Sequence, residues 1–404
     1  GIVGALAFYD GETDEIEGVT VLDDFTIEFQ YITPQPFWPR EYLTGLVEYA
    51  EHHLAELSDE EIALGTPFTE ARPCSGPFSW GTWEVDQYFE AVANDRYWRG
   101  RPKLDKIIDR YFPNETTAVL ALQRGEIDFT YISGDVVRPL KEAGDFTVFA
   151  GLSFVPNWVF LNHREPMIQD IRVRQAMYMA IDRELIIDTL YDGSAIRLKS
   201  LYATEPETDP DCVMWEYDPE QAKALLEEAG VHQDKEWNML TYYSSQLSQN
   251  VMQAMQQMWA EVGIQVVPRP LEVGMFRDQF RNVSDTSNWT IAYIGGGLGR
   301  ERHHQEGQPL AVGPDCPGSS HGCYEGMEEM SRILDDMQIA PSIEATFELR
   351  REASLIMNQK LPDLYMWMTE RYGAANNRVQ NFFYYPSSGG APFRDNVETW
   401  EIVS

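Results

Sequence analysis

Apolar and polar positions first alternate between Val19 and Tyr31, where Phe25, Ile27, Phe29 and Tyr31 interleave with Thr26, Glu28 and Gln30. A period of two marks a strand with one covered face, and Asp23-Asp24 supplies a turn, so the stretch predicts a hairpin. The prolines at 34, 36 and 39 end the pattern in a loop. A second strand region runs from Gly76-Pro77-Phe78 through Trp83 to Ala93 and closes at Asn94 to Pro102. Strand and helix patterns then alternate. Lys106 to Phe112 predicts a strand, Glu115 to Arg124 a helix capped by Asn114, and Ile127 to Ile132 another strand. That order predicts an α/β sheet with crossover helices.

A different region begins near Phe154 to Asn162. Beyond it, Ile168 to Tyr191 predicts one long amphipathic helix with Val173, Met177, Ala180 and Ile181 on a single face, stopped by Gly193. Asp218-Pro219 opens a further helix that ends at Gly230. Met239 to Tyr243 reads as a strand, and the next helix carries Val251, Met255, Met258, Trp259 and Val262 at helical spacing, a core stripe. Ile264 to Val267 returns as a strand, so this region is also α/β. No internal repeat appears. No apolar run approaches the ~18 residues that cross a membrane.

Charge narrows the partners. Asp and Glu number 65 against 31 Lys and Arg in 404 residues, a formal net charge of −34. Such a surface repels phosphates, which excludes nucleic acid and anionic membranes as partners. Abundant carboxylates with few lysines suit a saline habitat, or equally a solubility surface on a secreted protein. Four cysteines are few and even in number. Cys316 and Cys323, in a Gly/Pro/Ser-rich segment, read as a disulfide in an oxidising compartment, whereas the pairing of Cys74 and Cys212 stays open. The spacing around His321 matches no closed zinc pattern, and adjacent side chains such as His303-His304 or His52-His53 point apart on an extended loop, so no metal is expected. No G-x-S-x-G, H-E-x-x-H or comparable motif occurs, so no catalytic residue is named and no enzyme is expected.

Several segments resemble the family 5 (cluster C) solute-binding proteins of ABC transporters, which carry peptides, nickel complexes and some oligosaccharides. The likeness rests on Ser75-Gly76-Pro77-Phe78 with Trp83, on Asn94 to Asp105 (N-x-x-Y-W-x-G-x-P-x-L-D), and on Ala121 to Asp128 (A-L-x-x-G-E-x-D). Asp170 to Arg183 (D-x-R-V-R-Q-A … A-I-D-R) and Tyr217 to Gly230 complete it. Physically, Tyr97-Trp98 with Gly100 and Pro102 make an aromatic anchor and a forced turn. Asp170, Arg172, Arg174 and Asp182 are placed to form ion pairs.

The resemblance implies a two-lobed, type II periplasmic-binding-protein fold with a hinge. Lobe one would take 1–157, incomplete at its N-terminus because family members carry a further stretch there. Lobe two would take 158–367, and 368–404 would return to lobe one. It also implies an extracytoplasmic monomer without cofactor, periplasmic or lipid-anchored, that hands a small ligand to the transmembrane subunits of an ABC permease. An oligopeptide is the first expectation; an oligosaccharide or anionic conjugate is the alternative. Family peptide binders clasp the peptide amine with a Trp–x–x–Asp loop. At the corresponding place, after the strand Trp289 to Ile294, this chain has Gly295-Gly296-Gly297-Leu298-Gly299-Arg300-Glu301-Arg302, without that acid. Glycines let the backbone approach a ligand, and Arg300 and Arg302 can clamp an anion; the alternative is a lid with solvated charges. The candidate contacts are Trp38, Ser75, Phe276, Tyr293, Gly295, Gly296, Gly297, Arg300, Arg302 and Trp367.

Overall fold

Short polar side chains set the element boundaries. In the computed structural model, which describes residues 2–32, 54–55, 57–63, 74–202, 206–231, 236–281, 289–295, 322–382 and 396–403, Asn114 caps the helix Glu115–Gln123 by accepting from the Thr117 amide at 3.0 Å. Asp218 caps Pro219–Glu228 through the Gln221 amide at 2.9 Å, and Gly230 follows that helix at φ 69°. Each cap satisfies a donor that a first turn leaves unpaired, and glycine takes the left-handed exit without a Cβ penalty. Ser245 starts Gln246–Glu261, which buries Val251, Met252, Met255 and Trp259.

The single helix expected from Ile168 to Tyr191 is three: Pro166–Gln169, Ile171–Met179 and Arg183–Leu190. Asp170 and Asp182 divide it, because each carboxylate accepts from a nearby amide, of Arg172 and Leu185 respectively, and so begins a new helix. The apolar face continues across the breaks, with Val173, Met177, Ala180 and Ile181 all buried. Of the charges expected to pair here, Asp170 and Arg172 do so at 2.6 Å. Arg174 does not. It is buried and donates to the carbonyls of Ile168, Gln169 and Lys360, and loss of hydration lowers its pKa to about 10.

The strands, in chain order, are β1 Val19–Asp23, β2 Thr26–Phe29, β3 Phe78–Glu84, β4 Tyr88–Ala93, β5 Lys106–Arg110, β6 Phe129–Ile132, β7 Phe146–Leu161, β8 Ala195–Arg197, β9 Glu236–Thr241, β10 Gln265–Pro270, β11 Ile291–Gly295, β12 Asp363–Asn376, β13 Val379–Gln380 and β14 Glu401–Ile402. β1 and β2 form the expected hairpin, although its apolar side is open, with Phe25 98 % exposed. β3, β4 and β5 make a three-stranded antiparallel sheet. The principal sheet has seven strands, in the order β10-β9-β11-β7-β12-β6, with β8 also on β12. β10, β9 and β11 are mutually parallel, while β7, β12 and β6 pair antiparallel.

β7 and β12 lie side by side from Asp363↔Phe160 to Asn376↔Phe146, with register shifts at Tyr365/Trp367 and Met368/Glu370. The pleat sends Val159 and Leu161 into one core, with Met177, Met255 and Trp259, and Trp158 and Phe160 into another, with Met330, Ile333 and Met357. At the opposite end of the same strands, Ala374 joins a third core with Leu122 and Leu140, and Ala375 a fourth with Phe382 and Trp400.

Asp363 begins β12 in full burial. Its Oδ1 accepts from the Leu161 amide at 2.9 Å, and Oδ2 has no hydrogen-bond partner among the described residues. Burial holds the carboxyl well above its ordinary range. A raised pKa means that the folded chain keeps a proton the unfolded chain has released. Stability from this site is therefore complete below the unfolded value near 3.8 and declines as pH rises towards the folded one, by up to about 1.4 kcal/mol per pH unit. Asp363→Asn keeps the Oδ1 acceptor and removes the titration. Urea unfolding at pH 5 and pH 7 should show the variant gaining on the wild type as pH rises; parallel pH profiles would refute this.

Candidate functional site

In sheets with parallel strands, ligand crevices open beyond the carboxyl ends of the strands, where the strand order reverses. Here the chain leaves the central β9 first for β10 on one side and later for β11 on the other. β9 ends at Thr241 and runs into Tyr242 and Tyr243, while β11 ends at Gly295, opposite Asn157 of β7. Two strand ends and the interior of β7 thus meet around two adjacent tyrosines.

An aromatic cluster fills this corner. The Tyr242 hydroxyl donates to the Gly295 carbonyl at 3.2 Å. Asn157 Oδ1 accepts from Tyr243 at 3.4 Å and from Tyr293 at 3.5 Å. Ring centroids lie 5.0 Å apart for Tyr242 and Tyr243, 5.6 Å for Tyr243 and Tyr293, 6.3 Å for Tyr293 and Trp367, and 5.8 Å for Trp367 and Tyr191. Phe276 packs 5.2 Å from Tyr242. Burial pushes the phenols of Tyr191, Tyr242, Tyr243 and Tyr293 upward, so each remains a neutral donor at ordinary pH.

Tyr191 connects the cluster to a cavity of about 530 Å³. Its walls are the end of β6 and the following turn (Tyr131 to Gly134), the turn Leu190, Tyr191, Asp192 and Ser194, Leu247 of the helix after β9, and Thr369 to Tyr372 on β12. The volume suits a short organic chain, and the lining mixes apolar surface with a few convergent polar groups. A second cavity, of about 720 Å³, lies between β5, β6 and the β13–β14 pair against Phe129, Phe382 and Trp400.

The expected contacts distribute unevenly. Phe276, Tyr293, Gly295 and Trp367 all border the aromatic cluster, but at 1 % and 0 % exposure Tyr293 and Trp367 are packed behind Tyr191, and Phe276, 3 % exposed, is packed against Tyr242 in the other core. Ser75 is exposed in the turn ahead of β3, on the other sheet, where Asn94 Nδ2 holds the Gly76 carbonyl at 2.9 Å. Trp38, Gly296, Gly297, Arg300 and Arg302 lie outside the described residues, as do His52, His53, His303, His304 and Cys316. Among the described residues no cluster of three or more His, Cys, Asp or Glu could hold a metal ion, and no helix is long and apolar enough to cross a membrane. Tyr191, Tyr242, Tyr243, Asn157 and Glu370 are not among the contacts expected from the sequence. The available signal was Tyr242-Tyr243 directly after a strand in an α/β pattern.

The model of the bacterial extracellular solute-binding proteins, family 5 Middle, matches residues 3–299. A provisionally named ABC transporter peptide-binding protein of Brucella melitensis is 32 % identical over 396 residues, covering 96 % of this chain and 74 % of its own length. Among solved structures, the oligopeptide-binding protein AppA of Bacillus subtilis, in complex with a nonapeptide, superposes with a TM-score of 0.77 at 18 % identity, covering 96 % of this chain and 78 % of that one. DppA of Helicobacter pylori, in complex with the peptide STSA, gives 0.74 at 20 % identity, over 97 % and 75 %. The chain has the two-lobed α/β fold of these structures.

Gly295 is the tightest point of the aromatic corner. A β-carbon there would lie 2.4 Å from the Tyr243 hydroxyl oxygen, 3.0 Å from Val155 Cγ1 and 3.4 Å from the Pro156 carbonyl oxygen. Gly295→Ala must displace Tyr243 from Asn157 at a cost of about 1–3 kcal/mol. Denaturant unfolding should show that loss, together with a changed near-ultraviolet tyrosine spectrum. An unchanged spectrum and midpoint would contradict the packing described.

Proposed function

This chain belongs to the bacterial extracellular solute-binding proteins of family 5, and on that premise we propose that it captures an oligopeptide between its two lobes and delivers it to the membrane permease of an ABC importer. The observation that carries the reading is the cavity at the β6–β12 junction, backed by the Tyr242–Tyr243 corner at the strand ends. Relatives named or solved as peptide-binding proteins support the ligand class.

On this reading lobe one takes residues 1–157 and 368–404, and lobe two takes 158–367. The two crossings are then neighbours, since Trp367 pairs with Asn157 and Met368 with Pro156. Register shifts on both sides of Met368 are natural places for a hinge between lobes, because a bulge weakens the ladder locally. The cavity touches residues from both lobes, as an enclosed ligand requires. Trp38, Gly296, Gly297, Arg300 and Arg302 belong to the proposed ligand-facing set with Gly295, while Phe276, Tyr293 and Trp367 support it from behind. We assign the protein to an extracytoplasmic, oxidising location as a monomer that binds without turnover. A Cys316–Cys323 bond is supported by Cys323 being disulfide-bonded.

Incubation of the purified protein with pools of short peptides and of oligosaccharides, followed by mass spectrometry of bound and free fractions, tests the reading. Peptides of a few residues should be retained unchanged, and scattering should report a more compact particle once they bind. Catalytic accumulation of cleavage products would sink the receptor assignment, and selective retention of saccharides would move the cargo to that class.

A further inference from the structure

The chemistry of the junction cavity is more specific than its volume. Glu370 follows the second register shift of β12. The Tyr372 hydroxyl donates to Glu370 Oε2 and lies 3.0 Å from Ser194 Oγ, while the Glu370 amide donates to the Ser194 carbonyl at 2.8 Å. The carboxylate is therefore held through one oxygen by a neutral partner. Among the described residues it forms no ion pair. Asp192, held at φ 50°, adds a second carboxylate to the lining. Arg371 is the one basic residue of that lining. Because Glu370 and Tyr372 share a face, strand alternation directs the Arg371 side chain to the other. Ile132, Leu190 and Leu247 contribute apolar surface, and Tyr131 and Tyr191 contribute aromatic surface.

An acid at the side of an apolar, aromatic-walled cavity suits a long aliphatic stem that ends in a positive charge. We propose that this cavity receives a basic side chain of the bound peptide, lysine or arginine, with Glu370 as its counter-ion and with Tyr372 and Ser194 positioning that carboxylate. The inference rests on the peptide-binding reading above. It assigns a specificity that the missing loop acid after β11 does not supply.

The test is calorimetric binding of N-acetylated alanine tetrapeptides carrying one lysine, or one norleucine, at each of the four positions in turn. Moving a lysine along the peptide holds net charge constant, so the overall field of a −34 chain creates no positional preference. At one position lysine should bind about ten- to a hundredfold more tightly than norleucine, the range of a charge-assisted hydrogen bond. Glu370→Gln should abolish that ratio and Tyr372→Phe should reduce it. A ratio near one at every position, or one that survives Glu370→Gln, would overturn the inference while leaving peptide binding intact. A preference for free over acetylated amino termini, lost in Glu370→Gln, would overturn the side-chain assignment in favour of the terminal ammonium. Wild-type protein that binds none of these peptides would overturn the peptide reading, and this inference with it. Should thermal unfolding show Glu370→Gln misfolded, the Tyr372→Phe ratio decides, a value equal to wild type counting against the proposal.

Discussion

The pairing of β7 with β12 is the constraint on which the rest of the molecule depends. Two long strands, brought together from opposite ends of a segment of some two hundred residues, run antiparallel through four hydrophobic cores. Their alternation decides which side chain enters which core, so a slip of one residue would exchange the faces throughout. Where the alternation breaks, it does so to effect. The shift between Tyr365 and Trp367 lets Met366 and Trp367, neighbours in sequence, enter the same core, while Tyr365 and Met368 enter the other. The same irregularity places Trp367 behind the aromatic corner, and Glu370 reaches the cavity just after the second shift, between Met368 and Glu370.

Local signals were legible in the sequence because they act over three or four residues. Asn114, Asp218 and the glycine after Glu228-Ala229 announced helix ends, and the stripe Val251, Met255, Trp259 announced a buried face. The same type of signal was overlooked at Asp170 and Asp182, where a strong apolar period hid two new helix starts. Arg174 shows a different limit: a charged residue beside Asp170 invites an ion pair, but its partners are carbonyls, one contributed by Lys360 from far along the chain.

The site was less legible than the fold for the same reason. Nothing near Tyr243 in the sequence announces Asn157 or Gly295, since their meeting requires β9, β11 and β7 to be in register first. Aromatic residues prominent in the sequence, such as Trp367 and Tyr293, are wholly buried, whereas the half-buried Tyr191, Tyr242 and Glu370 border open space. Side chains conspicuous by size tend to be claimed by the core. The charge of the chain divides along similar lines. Arg174 and Arg183, both buried, are satisfied by backbone carbonyls instead of carboxylates, which leaves the acidic surplus to the surface.

The junction of Leu161 with Asp363 has a further consequence. The chain leaves β7 at Leu161 and enters its neighbour β12 at Asp363, and the two residues are joined by a direct amide-to-carboxylate hydrogen bond. Everything between them is a single excursion whose ends nearly touch. A segment with adjoining ends can be spliced into a host, removed from it, or closed into a ring with a short linker. The stretch between Leu161 and Asp363 carries β8 to β11 of the sheet with it, and is thus a unit that recombination can exchange whole, strands included.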